Sequence, residues 1–174
     1  GVSGDISGNW VNTYNQTTNT FEGNGVGEFL GFAFALSSIE LSFHQNTLTG
    51  SAIHGKLKVP FFEAALDVLI SLTNEGDFTI GIASANGLIQ LEKEDIIRLQ
   101  VNSLAFSKES SIYALTLTGE MQPLLADLSW PSLQVDGLTV NSRGEVKVDG
   151  GWIDLEELKT LDFHKFKIEI SQIG

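Results

Sequence analysis

The run Ile97-Arg98-Leu99-Gln100-Val101-Asn102 alternates apolar and polar side chains without a break. Successive side chains of a β-strand point to opposite faces of the sheet, so this alternation predicts a strand with one buried face. The same pattern recurs along the chain, in residues 39–44, 56–59, 66–72, 78–82, 113–117, 133–135, 138–140, 146–148 and 165–170. We therefore predict an all-β fold: an elongated antiparallel meander, a two-layer β-sandwich or a solenoid-like sheet, with little or no helix.

Glycines mark the turns between these runs, because glycine accepts the positive φ that tight hairpin turns and bulges require. The candidate hairpin turns or bulges are Glu75-Gly76, Asn86-Gly87, Asp136-Gly137, Arg143-Gly144 and Asp149-Gly150. An apolar run interrupted by Gly31, residues 29–36, predicts one buried strand. Two segments could each form a single helical turn: Pro60–Leu66, with proline first, and Asp154–Thr160, with an acidic cap.

Composition narrows the class of protein. The 174 residues are 42% hydrophobic and 18% charged, which is typical of a globular domain with its own core. The net charge of −12 repels nucleic-acid phosphates and anionic lipid surfaces, so we expect neither as a partner. The chain has no cysteine, and no apolar run is long enough for an integral membrane helix. The lack of cysteine does not settle the compartment, because many bacterial surface proteins also lack it; of the possible locations we favour an extracellular or cell-surface one.

The first 36 residues differ from the remainder of the chain. They are rich in Gly, Asn, Thr and Ser, which predicts a loop-rich lead-in or capping segment with one or two short strands, followed by a repetitive antiparallel domain over residues 37–174. An internal repeat of about 64 residues is visible there, with approximate copies at 39–103 and 104–174. Gly87-Leu88-Ile89-Gln90-Leu91-Glu92 in the first copy matches Gly151-Trp152-Ile153-Asp154-Leu155-Glu156 in the second. The second copy stops in mid-pattern at Gly174, which predicts a fragment or a self-associating unit.

A resemblance supports this interpretation. The run Gly150-Gly151-Trp152-Ile153-Asp154-Leu155, together with residues 161–174, 117–119 and 128–131, resembles an uncharacterised family of repeat-rich β-domains in very large bacterial proteins. The resemblance covers roughly residues 39–174 and implies a β-rich fold and a large parent protein. The family carries no established activity, so none is implied here. The repeated amphipathic strands also have a more distant likeness to long β-groove proteins that conduct lipids between bacterial membranes.

Three aromatic residues in the polar lead-in segment are the candidate ligand-binding residues: Trp10, Tyr14 and Phe21. Aromatic rings in such a setting could stack on a sugar or contact a partner. The alternative is that they pack over the end of the sheet, and the composition of the segment favours this alternative.

The sequence gives little support for catalysis. The three histidines (His44, His54 and His164) have no spacing that makes them converge with a carboxylate, so we predict no metal site. Two acidic clusters, at 92–95 and 154–157, could serve a glycosidase, but they occupy equivalent repeat positions and are more simply read as solvated turns. Nucleophile, phosphate-binding and dinucleotide motifs are missing, so we predict no enzyme and no cofactor.

These observations favour a non-catalytic structural or interaction module of a larger or self-assembling bacterial protein. Its partners would be neighbouring repeats or copies of itself, joined through edge strands. Two alternatives remain open. The apolar face could line a groove for a lipid or another hydrophobic ligand, or the chain could be a carbohydrate-active or carbohydrate-binding domain.

Overall fold

A computed structural model describes residues 1–62, 64–84, 88–124, 133–148 and 151–153. The described residues contain strands, turns and loops but no helix, which confirms the prediction of an all-β fold. The strands are β1 (Gly4–Asn9), β2 (Asn12–Asn15), β3 (Thr20–Gly23), β4 (Val26–Phe29), β5 (Phe32–His44), β6 (Thr47–Lys58), β7 (Ala65–Leu72), β8 (Phe78–Ile82), β9 (Ile89–Lys93), β10 (Ile97–Glu109), β11 (Ile112–Pro123), β12 (Leu133–Asn141), β13 (Val146–Val148) and β14 (Gly151–Ile153).

The first sheet is an antiparallel meander of β5, β6, β7 and β8, in which each strand pairs with the next one along the chain. The other side of β5 is shared by two short strands. β4 pairs with the first part of β5, and β1 pairs with the second part. β2 and β3 form a separate hairpin between β1 and β4. The first 36 residues therefore contain four short strands, where the sequence predicted one or two.

The second sheet is also an antiparallel meander, running from β9 to β14 in chain order. Its long central hairpin, β10–β11, corresponds closely to β5–β6 in the first sheet. β5 and β10 have 13 residues each, β6 and β11 have 12 each, and β10 begins about 65 residues after β5. The repeat seen in the sequence stays a prediction, but the two sheets correspond strand for strand from β5 to β8 and from β10 to β13.

Irregular features of the two sheets also fall at matching places. One β-bulge follows Leu36 in β5 and another follows Val101 in β10, and each is opposite a glycine, Gly55 and Gly119. The β7–β8 and β12–β13 connections are the same turn. Each contains a left-handed glycine, Gly76 with φ 88° and Gly144 with φ 86°. A β-bulge bends the strand that carries it and increases its local twist, so the two sheets are bent at matching positions.

The apolar faces of both sheets pack into one core. Fully buried side chains come from the first sheet and from the second, and they belong to a single cluster. Ring contacts cross between the sheets, where Phe106 of β10 lies 5.7 Å from Phe29 and 5.4 Å from Phe32 between ring centroids. These contacts place the β4–β5 end of the first sheet over the part of the second sheet around Phe106.

Two local predictions need correction. Pro60–Leu66 is not a helical turn: Phe61 has φ 79°, which is outside the helical region, and Leu66 is already paired in β7. The apolar run 29–36 is not one strand, because Leu30 and Gly31 form the turn between β4 and β5. At Asp136-Gly137, for which the sequence predicted a hairpin turn or a bulge, β12 continues as one strand with an irregular register, in agreement with the bulge alternative. The Asp154–Thr160 prediction lies outside the described residues.

Candidate interaction surface

The predicted ligand-binding aromatics are divided between two places. Tyr14 and Phe21 are cross-strand partners in the β2–β3 hairpin, and their ring centroids are 5.1 Å apart. Phe21 is buried, with 9% of its surface exposed, whereas Tyr14 is half-buried and its hydroxyl donates to Oδ1 of Asn19 at 3.2 Å. The Phe21 ring is therefore mostly occupied by packing, whereas Tyr14 keeps part of its surface exposed.

Trp10 lies outside the hairpin and packs on β1. A Cβ built on Gly8 would come within 2.9 Å of Cη2 of the indole and 3.6 Å of a methyl group of Ile39, so the ring covers Gly8 beside β5. The backbone nitrogen of Trp10 donates to the carbonyl oxygen of Ser37 at 2.9 Å. Ser37 is the extra residue of the β5 bulge, so Trp10 is fixed at the point where β5 changes partner from β4 to β1.

The Asn12 side chain also forms hydrogen bonds at the point where β5 changes partner from β4 to β1. Its side-chain nitrogen donates to the carbonyl oxygen of Leu36 at 2.6 Å, and its side-chain oxygen accepts from the backbone nitrogen of Gly25 at 2.9 Å. Gly25 in turn accepts a hydrogen bond from the backbone nitrogen of Leu36 at 2.9 Å. The β2–β3 hairpin is thus anchored to the bulge of β5 by polar contacts rather than by an open ligand site.

The residues considered for metal or acid–base chemistry do not form a site among the described residues. No three histidine or acidic side chains converge there as metal ligands. His44 and His54 are exposed on β5 and β6, and Glu92 is paired with Arg98 at 2.8 Å. His164 and the acidic cluster at 154–157 lie outside the described residues.

A row of residues, apolar except for Ser51, crosses the first sheet near its β7–β8 turn and is only partly covered. We call it the outer row; its members are cross-strand neighbours, namely Ile6, Leu41, Ser51, Leu72 and Phe78. Alternation puts them on the same face as the buried residues, since Ile70, two residues before Leu72, is 2% exposed. Ile6 is nevertheless 58% exposed, Leu72 37% and Phe78 36%. Phe78 packs edge-on against Phe29, with 5.3 Å between the ring centroids, so the core face of this sheet is only partly covered here.

The second sheet has a matching row at the corresponding positions, consisting of Phe106, Leu115, Val140 and Val146. These residues correspond in order to Leu41, Ser51, Leu72 and Phe78. Val140 and Leu115 are fully buried, and Val146 is 2% exposed. The two rows have the same place in their sheets, but the matching row is covered more completely. Phe29 of the β4–β5 end contacts both rows, with its ring centroid 5.7 Å from that of Phe106 and 5.3 Å from that of Phe78.

The turns beside the two rows show the same contrast. A Cβ on Gly144 would lie 3.5 Å from Cβ of Pro60, and a Cβ on Gly31 would lie 3.2 Å from Cβ of Ser142. The β12–β13 turn is therefore in contact with the β4–β5 turn and with the end of β6. In the β7–β8 turn, a Cβ on Gly76 would have nothing within 4 Å, and Asn74, which corresponds to Ser142, is exposed.

Comparisons with family models, curated proteins and solved structures found no match to this chain. Among the described residues, no helix has the length and apolar character needed to cross a membrane.

Proposed function

We propose that this chain is a non-catalytic structural or interaction module that associates with neighbouring repeats or with copies of itself. The observation that carries the proposal is the difference between two equivalent rows: the row of the second sheet is buried, whereas Ile6, Leu72 and Phe78 of the first sheet are 58%, 37% and 36% exposed. Apolar patches of this kind, flanked by polar residues, mark interaction sites in soluble proteins.

Edge strands add a second route to association. β1 and β8 lie at opposite edges of the first sheet, and β1 is short, largely exposed and free of Lys and Arg. Unpaired backbone groups on such strands template pairing with another chain, and charged side chains that would oppose this pairing are limited to Asp5. A larger repetitive protein is the natural setting for such a module, because repeat units bury their open faces against neighbours.

Light scattering coupled to size exclusion, over a wide range of protein concentration, tests this function. We expect the average mass to rise with concentration beyond the 18.9 kDa monomer, and electron microscopy at the highest concentration to show dimers or longer particles. A mass that stays at the monomer value throughout this range would contradict self-association.

A further inference from the structure

β1 is an edge of the first sheet among the described residues, and its outward-facing backbone groups can be identified. The backbone nitrogen of Trp10 donates to the carbonyl oxygen of Ser37 at 2.9 Å, and these two residues continue the β1–β5 register. Hydrogen-bonded and non-hydrogen-bonded pairs alternate along an antiparallel ladder. Every second residue before Trp10 therefore bonds to β5, and the residues between them direct their N–H and C=O groups away from the sheet, namely Asp5, Ser7 and Asn9.

The exposure of β1 agrees with an open edge. Every residue of the strand except Gly8 is exposed, and Ile6 is 58% exposed on the core face of the sheet. At the opposite edge of the same sheet, β8 lies beside β10 of the second sheet. β1 is therefore the edge of the first sheet that is better placed to receive another strand.

We propose that β1 of a second copy of this chain pairs antiparallel with β1, with Ser7 of one copy opposite Ser7 of the other. This inference rests on the proposed function and adds the partner strand and its register. In such an isologous contact the same patch serves both copies, so the assembly closes as a two-fold dimer. The first sheets of the two copies then form one continuous antiparallel sheet.

Charge selects this register among those that pair the outward-facing backbone groups. A register centred on Asp5 would place two carboxylates directly opposite each other, and one centred on Ile6 would make them diagonal neighbours about 7–8 Å apart. With Ser7 at the two-fold axis, Asp5 faces Asn9 of the second copy. Glu40, which is opposite Ser7 in β5, is then separated from its counterpart by both β1 strands. In a chain of net charge −12, the register that separates the acidic groups is favoured.

The same register brings apolar groups together on the core face. It places Ile6 opposite Gly8 of the second copy, and the Trp10 ring covers that glycine, since a Cβ on Gly8 would lie 2.9 Å from Cη2 of the indole. Ile6 then packs on the half-buried Trp10 ring of the second copy, and the two-fold axis repeats this contact. Pairs of an aromatic and a β-branched residue stabilise neighbouring strands. Trp10 would thus contact a protein partner rather than a small ligand.

The first test uses two lysine substitutions that change the net charge by the same amount. Asn9→Lys faces Asp5 of the second copy, and this pair occurs twice in the dimer, so the dissociation constant should fall about threefold or more. Ser7→Lys faces itself across the axis, so the dissociation constant should rise by about the same factor. Both positions are exposed in the single chain, so the thermal midpoint should be kept. Sedimentation velocity at physiological ionic strength compares both variants with the original chain.

The second test removes one outward-facing donor. Ser7→Pro has no backbone N–H, and β5 does not use the N–H of Ser7, so the substitution suits an edge strand. It eliminates the hydrogen bonds that the two Ser7 residues exchange, and the dissociation constant should rise at least about tenfold. Ser7→Ala is the matched control, because it keeps the N–H and should associate like the original chain. If Ser7→Pro lowers the thermal midpoint, the lysine pair decides.

The outcomes separate this inference from the proposed function. Tighter association in Asn9→Lys together with weaker association in Ser7→Lys supports the Ser7-centred pairing. Tighter association in Ser7→Lys, without a gain in Asn9→Lys, would indicate a register centred on Ile6 and would overturn the proposed one. Association that none of these variants changes overturns β1 pairing while leaving self-association through another surface intact. If the original chain remains monomeric, both proposals fail.

Discussion

The backbone of Gly119 in β11 lies so close to Gln100 in β10 that a Cβ on the glycine would be 1.8 Å from the carbonyl oxygen of Gln100. The obstacle is main chain at a β-bulge, which cannot rotate away as a side chain can. We expect Gly119→Ala to force the two central strands of the second sheet apart and to lower the free energy of unfolding by about 1–3 kcal/mol or more. Urea denaturation followed by circular dichroism measures this loss.

Gly81→Ala is the control for this prediction. Gly81 lies in β8, and a Cβ there would meet nothing within 4 Å. Removing the extra backbone freedom of a glycine at an unstrained position stabilises a protein by about 0.4–1 kcal/mol. Equal effects of the two substitutions would contradict the close approach at the bulge.

Asn141 is a buried polar residue that organises the turn after β12. It is 3% exposed, and its side-chain oxygen accepts from the backbone nitrogens of Arg143 and Glu145, both at 3.0 Å. Asn141→Ala would leave these two donors without that acceptor, so we expect a loss of about 1–3 kcal/mol in the free energy of unfolding. Thermal or urea unfolding of the variant measures it.

The corresponding residue in the first sheet provides the comparison. Thr73 accepts from the backbone nitrogen of Asp77 through its hydroxyl at 3.2 Å, but it is exposed, so water can replace it. Thr73→Ala should cost less than about 1 kcal/mol. An equal or larger loss at Thr73 would show that burial of the turn does not govern its stability.

Much of the sheet structure could be predicted from alternation, and the failures have local causes. The two-residue period of apolar side chains correctly predicted strands wherever one face of the strand is buried, as in residues 97–101 and 66–72. It missed the β4–β5 turn because Leu30, an apolar residue with no turn preference, takes the left-handed conformation at φ 52°. The helical turn predicted after Pro60 failed because Leu66 is fully buried in β7, so tertiary packing overrides the local preference.

The interaction surface was harder to predict than the fold. Alternation shows that Leu72 and Val140 lie on the apolar faces of their strands, but it cannot tell which of the two is covered. That difference depends on the position of one sheet over the other, which is a long-range property. The prediction for Trp10, Tyr14 and Phe21 stays a prediction, since aromatic residues in a polar segment have the same sequence signal whether they bind a ligand or pack locally.

The link between the β2–β3 hairpin and β5 gives a prediction about local stability. Asn12 bridges Gly25 and Leu36 through its side-chain amide. We expect Asn12→Ala to lower the free energy of unfolding by about 1 kcal/mol. It should also increase hydrogen exchange at the Leu36 amide, which donates to Gly25, more than at amides in β10 and β11. Exchange followed by mass spectrometry resolves these regions.

Asn15→Ala is the matched control, because Asn15 lies in the same hairpin but its contacts are exposed. Its effect on exchange should be confined to the turn around Thr17 and Thr18. If both variants changed exchange at Leu36 to the same extent, the Asn12 bridge would not be what anchors the hairpin.

The contact between Phe32 and Phe106 predicts that the two sheets unfold together. Phe32 has no exposed surface, and its ring packs edge-on against Phe106 across the sheet interface, with 5.4 Å between the centroids. Phe32→Ala should therefore cost about 3–5 kcal/mol, since it removes an aromatic side chain from a shared core and leaves a cavity. Leu88→Ala, at a position 44% exposed, should change the free energy of unfolding by less than about 0.5 kcal/mol.

Because one core joins the sheets, spectroscopic probes in either sheet should report the same unfolding midpoint in the original chain and in both variants. Two separate transitions in Phe32→Ala, with the second sheet unchanged, would mean that each sheet is stable without the other.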